Sequence, residues 1–82
     1  MRRKKIKVVF KKLKRERALG QAIKAENLIE LDPRLRSRAM LSTAVHEVLH
    51  IVAGEWSESR VERASQKIAN VLWHLGFRRV TK

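Results

Sequence analysis

The chain has no cysteine. That excludes a disulfide framework and any metal site built on thiolates, and a reducing compartment is the simplest setting for it. Long apolar runs are missing too. Near the amino terminus the longest is Val8-Val9-Phe10, cut off at once by Lys11-Lys12. It is too short for the core of a signal peptide, and nothing further along approaches the roughly 20 apolar residues of a membrane helix. A soluble, cytoplasmic protein without membrane contact is expected. Internal repeats are absent, and no low-complexity segment appears beyond the basic start. Acids are scarce: eight Asp and Glu stand against twenty Lys and Arg, a formal net charge of +12. With 82 residues the chain can form one small domain with a modest core.

The charge is unevenly placed. Ten of the twenty cations lie between Arg2 and Arg17, where Glu16 is the one acid, whereas Glu26 to Glu62 holds seven acids against four arginines. A basic end and a mildly acidic middle imply two jobs. The basic segment is suited to contact with nucleic acid or another acidic surface, and the acidic middle to a cation.

From Lys5 to Phe10 the chain alternates, with Ile6, Val8 and Phe10 on one side and lysines on the other. This is the pattern of a half-buried strand. Gly20 to Ala25 and Leu28 to Leu31 are short apolar segments separated by Glu26-Asn27, a pair suited to a tight turn, and they read as a hairpin. Asp32-Pro33 then ends the strands. A helix is expected over 33–53, starting at Pro33 or, after a short turn, at Ser37, with Gly54 in the position that commonly terminates helices. Leu41, Val45, Val48 and Val52 form its apolar stripe, widened by Leu49, and the helix should be central and largely buried. Ser57 resembles the N-cap of a second helix over 57–75, ended by Gly76, with Val61, Ala64, Ile68, Leu72 and Trp73 on its apolar face. The expected fold is α+β: a small, mostly antiparallel three-stranded sheet (basic segment and first strand over 1–17, hairpin over 18–32), then two antiparallel helices.

The chemistry is concentrated in His46-Glu47-Val48-Leu49-His50. Residues four apart on a helix share a face, so His46 and His50 can share one metal ion. Glu47, one step round the helix, can reach a water on that ion and act as a general base. A buried histidine pair needs partners, and a metal satisfies both.

A third ligand follows from heights along the helices. At about 1.5 Å per residue, a metal between the two imidazoles lies about 8 Å from the end of the first helix, and Glu62 lies about 7 Å from the start of the second. Glu62 is therefore expected as the third ligand, with Glu58 the alternative one turn earlier. Two His and one Glu leave one position for water, as in catalytic zinc sites. His74 is some 18 Å beyond Glu62 and out of reach; it is expected to be an ordinary helix-end histidine.

The run Gly20-Gln21-Ala22, Leu28-Ile29-Glu30-Leu31, Leu35 and Thr43 to His50 resembles the core of SprT-like and related zincin metallopeptidases. The helix carrying Glu62 is similar to the glutamate helix of gluzincins, particularly the single-domain minigluzincins. The resemblance spans roughly residues 18–74 and implies a zinc-dependent peptidase fold. Two features depart from it: no third histidine follows the motif at short range, and the chain has no Tyr, which many zincins use to stabilise the oxyanion.

The expected function is zinc-dependent hydrolysis of peptide bonds in a peptide or protein substrate, with Zn²⁺ on His46, His50 and Glu62 and with Glu47 as general base. The substrate is expected to lie extended along an edge strand, Leu28 to Leu31. Two alternatives stand beside it. One is a zinc-stabilised binding module with little or no catalysis, and the other is a basic nucleic-acid-binding protein.

Overall fold

The alternating segment forms strand β1, Lys7–Phe10. Described by the structure, a computed structural model, are residues 5–13 and 19–79; the remainder of the basic segment expected over 1–17 lies outside them. Strands β2 (Gly20–Ile23) and β3 (Leu28–Leu31) are joined by a 3-10 turn at Lys24–Glu26 and by Asn27, whose φ is 51°. Asn tolerates this left-handed conformation better than most side chains. Its amide nitrogen also donates to the Lys5 carbonyl 2.9 Å away, tying the turn to the start of β1.

The sheet order is β1-β3-β2. The β2–β3 pair is antiparallel, with Gly20 opposite Leu31, but β1 runs parallel to β3, with Lys7 opposite Leu28. The sheet is thus mixed rather than mostly antiparallel. A short turn obliges β2 and β3 to reverse direction. The chain after β1 instead travels far enough for β1 to join the opposite side of β3. The strand Leu28–Leu31, expected at an edge, is therefore central, and both of its sides are occupied.

Helix α1 spans Ser37–Val52, so Asp32-Pro33 does not begin it. Asp32 is fully buried and is used otherwise. Its carboxylate accepts from the Leu13 backbone N–H at 3.0 Å and the Arg34 backbone N–H at 2.9 Å. It also accepts from the Arg34 guanidinium at 2.7 and 2.8 Å. The guanidinium holds the Asp32 carboxyl well below the usual carboxylate range, against the opposing effect of burial.

Ile29, Leu31, Leu35 and Met40 form the buried core, and Ala44, Val48 and Ile51 bring α1 onto it. Of the stripe expected to be buried, Leu41 to Val52, Val48 packs on this core, Leu41, Val45 and Leu49 are half-buried, and Val52 is 65% exposed; Met40, outside the stripe, is the one buried residue of α1. Apolar residues surround much of this helix, so a single stripe could not be picked out. Helix α1 lies mainly over β2 and β3.

Helix α2, Glu58–His74, returns along α1 after a short connection. The Ser57 hydroxyl caps it, accepting from the Arg60 N–H at 3.2 Å. Gly76, at φ 94°, follows its end. Its buried residues are Val61, Ser65 and Ala69, and Ile68 is 41% exposed. Small side chains on the inner face let the two helices approach closely. Gly54 follows the Ala53 cap of α1, in the terminating position expected for it, though without a positive φ; it leaves room for the Lys24 side chain. Among the described residues no helix is long and apolar enough to cross a membrane.

Candidate metal centre

One helical turn apart on α1, His46 and His50 present their Nε2 atoms to each other at 3.1 Å. The third partner comes from the first turn of α2. Glu58 places Oε1 2.8 Å from His50 Nε2 and Oε2 3.1 Å from His46 Nε2. Ligand atoms from these three residues all lie within 4.8 Å of one another, the one such group of His and acidic side chains among the described residues.

Glu62, expected from its height as the third ligand, is not in this group. Its Oε1 lies 2.9 Å from the other ring nitrogen of His46, Nδ1, and its Oε2 accepts from Gln66 Nε2 at 3.1 Å. Phase on the helix accounts for the difference. At about 100° per residue, Glu58 lies about 20° from Ser65 and Glu62 about 60° from it. Ser65 is on the buried face that α2 turns towards α1, so Glu58 is better aimed at the histidine pair. Height along the helix neglected this rotation. The signal in the sequence is the spacing itself: carboxylates at 58 and 62 lie one turn apart on one face, matching the two nitrogens of one ring.

These contacts fix the chemistry of His46. With Nδ1–H donating to Glu62, a neutral His46 carries its lone pair on Nε2. That lone pair faces the Glu58 carboxylate, acceptor against acceptor. One more proton shared by this pair, or a metal ion between them, resolves the conflict. A proton satisfies one pair, whereas a metal ion is shared by His46, His50 and Glu58 together. Two imidazoles and a carboxylate are also the donor set that suits Zn²⁺. The carboxylate–histidine contact behind the ligand is the usual way a metal-binding imidazole is oriented. The residues fit the metal.

Glu47 sits on the other side of His46, turned towards β2. Burial pushes its carboxyl above the ordinary value; the nearby His46 and His50 pull it down and Glu58 raises it further. Gly20 of β2 is what makes room. A Cβ there would lie 2.7 Å from Thr43 Cγ2 and 3.3 Å from both Cγ and Oε2 of Glu47. A cleft of about 320 Å³ opens at this point, with Gly20, Thr43, His46, Glu47 and Glu62 in its walls. His74 is exposed at the far end of α2 and takes no part.

The outer edge of β2 borders the cleft. The Asp32 N–H donates to the Leu19 carbonyl, which sets the alternation of the antiparallel ladder: Gln21 and Ile23 bond to β3, while Gly20 and Ala22 point their N–H and C=O groups outward. Comparison of the chain with family models, with curated proteins and with solved structures finds no match.

Proposed function

We propose that this chain is a zinc-dependent peptidase of the small zincin type. The convergence of His46, His50 and Glu58 beside a half-buried Glu47 is the observation that carries the reading. His46, His50 and Glu58 hold the metal, and Glu62 holds His46 in the tautomer that leaves Nε2 free for it. Bound zinc brings the pKa of a water to near 7 and polarises a carbonyl.

Glu47 is the proton carrier. It accepts the proton of the attacking water and delivers it to the departing amine. The substrate pairs as an added strand with the outward groups of Gly20 and Ala22, which border the cleft containing Glu47. Leu28–Leu31 cannot serve, since β1 and β2 flank it. The proposal includes a cytoplasmic setting and contact of the basic amino-terminal segment with nucleic acid, as a means of bringing the enzyme to its substrates.

The test measures zinc content and hydrolysis of an unfolded protein by wild type and by Glu47→Gln. Stoichiometric zinc in both, with hydrolysis at least 10²-fold lower in the variant, is the expected result. Equal hydrolysis by the two, or none by either with zinc bound, rejects the peptidase in favour of a zinc-stabilised binding module. Failure of wild type to take up zinc rejects both, and salt-sensitive nucleic-acid binding indifferent to chelators is then the outcome that fits the charge.

A further inference from the structure

Strand β1 is the second open edge of the sheet, on the side opposite the cleft. Its ladder to β3 is fixed by two bonds, Lys7 N–H to the Asn27 carbonyl and Lys11 N–H to the Leu31 carbonyl, each 2.9 Å. In a parallel pair alternate residues face the same neighbour. Lys7, Val9 and Lys11 therefore face β3, while the N–H and C=O groups of Val8 and Phe10 face outward, with no strand beside them among the described residues.

The side chains beside this edge are also uncovered. Because α1 sits mainly over β2 and β3, Val8 is 52% exposed and Phe10 39%. Together with Leu41 of α1 and Phe77 they wall a trough of about 300 Å³. Arg78 and Arg79 line it and also the adjoining cavity of about 500 Å³, where Arg36 joins them. The Arg79 guanidinium is held 3.7 Å over the Phe10 ring, which fixes a positive charge at the rim. No acid occurs from Lys5 to Lys12, from Pro33 to His46 or from Leu75 to Arg79, so the walls carry one sign of charge only.

The geometry points to β1 as a docking edge for an extended, acidic segment of another protein, which adds a fourth strand alongside Val8–Phe10 and sets apolar side chains into the trough and carboxylates against Arg36, Arg78 and Arg79. An open edge beside an apolar trough is the arrangement that strand addition uses. Charge selects the occupant. A second copy of a chain with net charge +12 is repelled from this face. A nucleic acid would leave the apolar floor and the strand-spaced donors and acceptors of Val8 and Phe10 unused.

The experiment uses the full chain carrying Glu47→Gln, so that a peptide probe stays intact. Amide shifts and calorimetry are recorded with an acetylated, amidated octapeptide alternating Asp or Glu with Val or Ile, with its counterpart bearing Lys for every acid, and with a single-stranded oligonucleotide. The acidic peptide is expected to bind saturably, more weakly as salt rises, and to shift Val8, Val9 and Phe10 but not Gly20–Ile23. Val8→Pro removes one outward donor without touching the β3 ladder, a substitution an edge strand tolerates. It is expected to weaken binding at least tenfold with the circular dichroism unchanged. If that variant misfolds, Arg79→Glu is expected to cause the same loss from outside the strand. Binding indifferent to Arg79→Glu, shifts confined to β2, no binding of the acidic peptide, or occupancy of this edge by the oligonucleotide instead, overturns the proposal.

Discussion

His46 shows why single residues decide the chemistry of this chain. Both of its ring nitrogens are engaged, Nδ1 by Glu62 at 2.9 Å and Nε2 by Glu58 at 3.1 Å, so the two carboxylates have different tasks. In the proposed site Glu58 is a ligand, and Glu62 orients a ligand. Losing an orienting carboxylate costs about 10- to 100-fold in metal affinity, and losing the ligand itself costs more. Competitive titration with a zinc chelator is therefore expected to rank wild type above Glu62→Gln and Glu62→Gln above Glu58→Gln. The opposite order of the two variants would restore Glu62 as the ligand. The histidine pair and Glu47 were legible because a helix turns the spacing of their motif into a shared face. The division of labour between Glu58 and Glu62 was not, since it depends on how α2 is rotated against α1 as well as on distance along it.

At the scale of elements, the contact between β2 and α1 positions the cleft, and Gly20 is its hinge point. The Cβ of an alanine there would meet Thr43 Cγ2 at 2.7 Å, and both atoms belong to regular elements that cannot yield independently. Gly20→Ala is expected to destabilise the protein by about 1–3 kcal/mol, as overpacking does. Thr43→Ser removes the clashing methyl group, so the double variant should recover much of the loss; such coupling is expected of residues in contact. Urea midpoints of the four proteins check this, and strictly additive losses would show that the strain lies elsewhere. Strand and helix types were readable from local patterns: alternation in Ile6, Val8 and Phe10, the Ser57 cap and the Gly76 stop. Strand order was not. The alternation of β1 is equally compatible with either neighbour and either direction, and the connection that carries it to the far side of β3 leaves no periodic signal. The same gap placed Leu28–Leu31 at an edge when it is the centre of the sheet.

For the whole molecule, the sparseness of the core would give a metal at the proposed site a structural role. Only eight apolar side chains are buried among the described residues, two of them alanines. Small domains of this kind commonly rely on a metal or another cross-link. Zinc on His46, His50 and Glu58 would join the second half of α1 to the first turn of α2, across the helix pair that shares the most extensive contact in the fold. A ligand bound only by the folded state contributes about 2.7 kcal/mol at a free concentration 100 times its Kd. For a domain of this size each kcal/mol moves the Tm by about 4–8 °C, so saturating zinc should raise it by roughly 10–20 °C. Excess chelator should reverse the rise. Two controls separate this clamp from nonspecific binding, which the positive charge of the chain already disfavours. Glu47→Gln keeps every proposed ligand and should show the full shift, whereas His50→Ala should show almost none. Melting curves of the three proteins, each with zinc and with chelator, make the comparison. Were wild type to melt at the same temperature in both, the helices would not be held by a metal, and Glu58 would be a surface carboxylate beside the histidine pair.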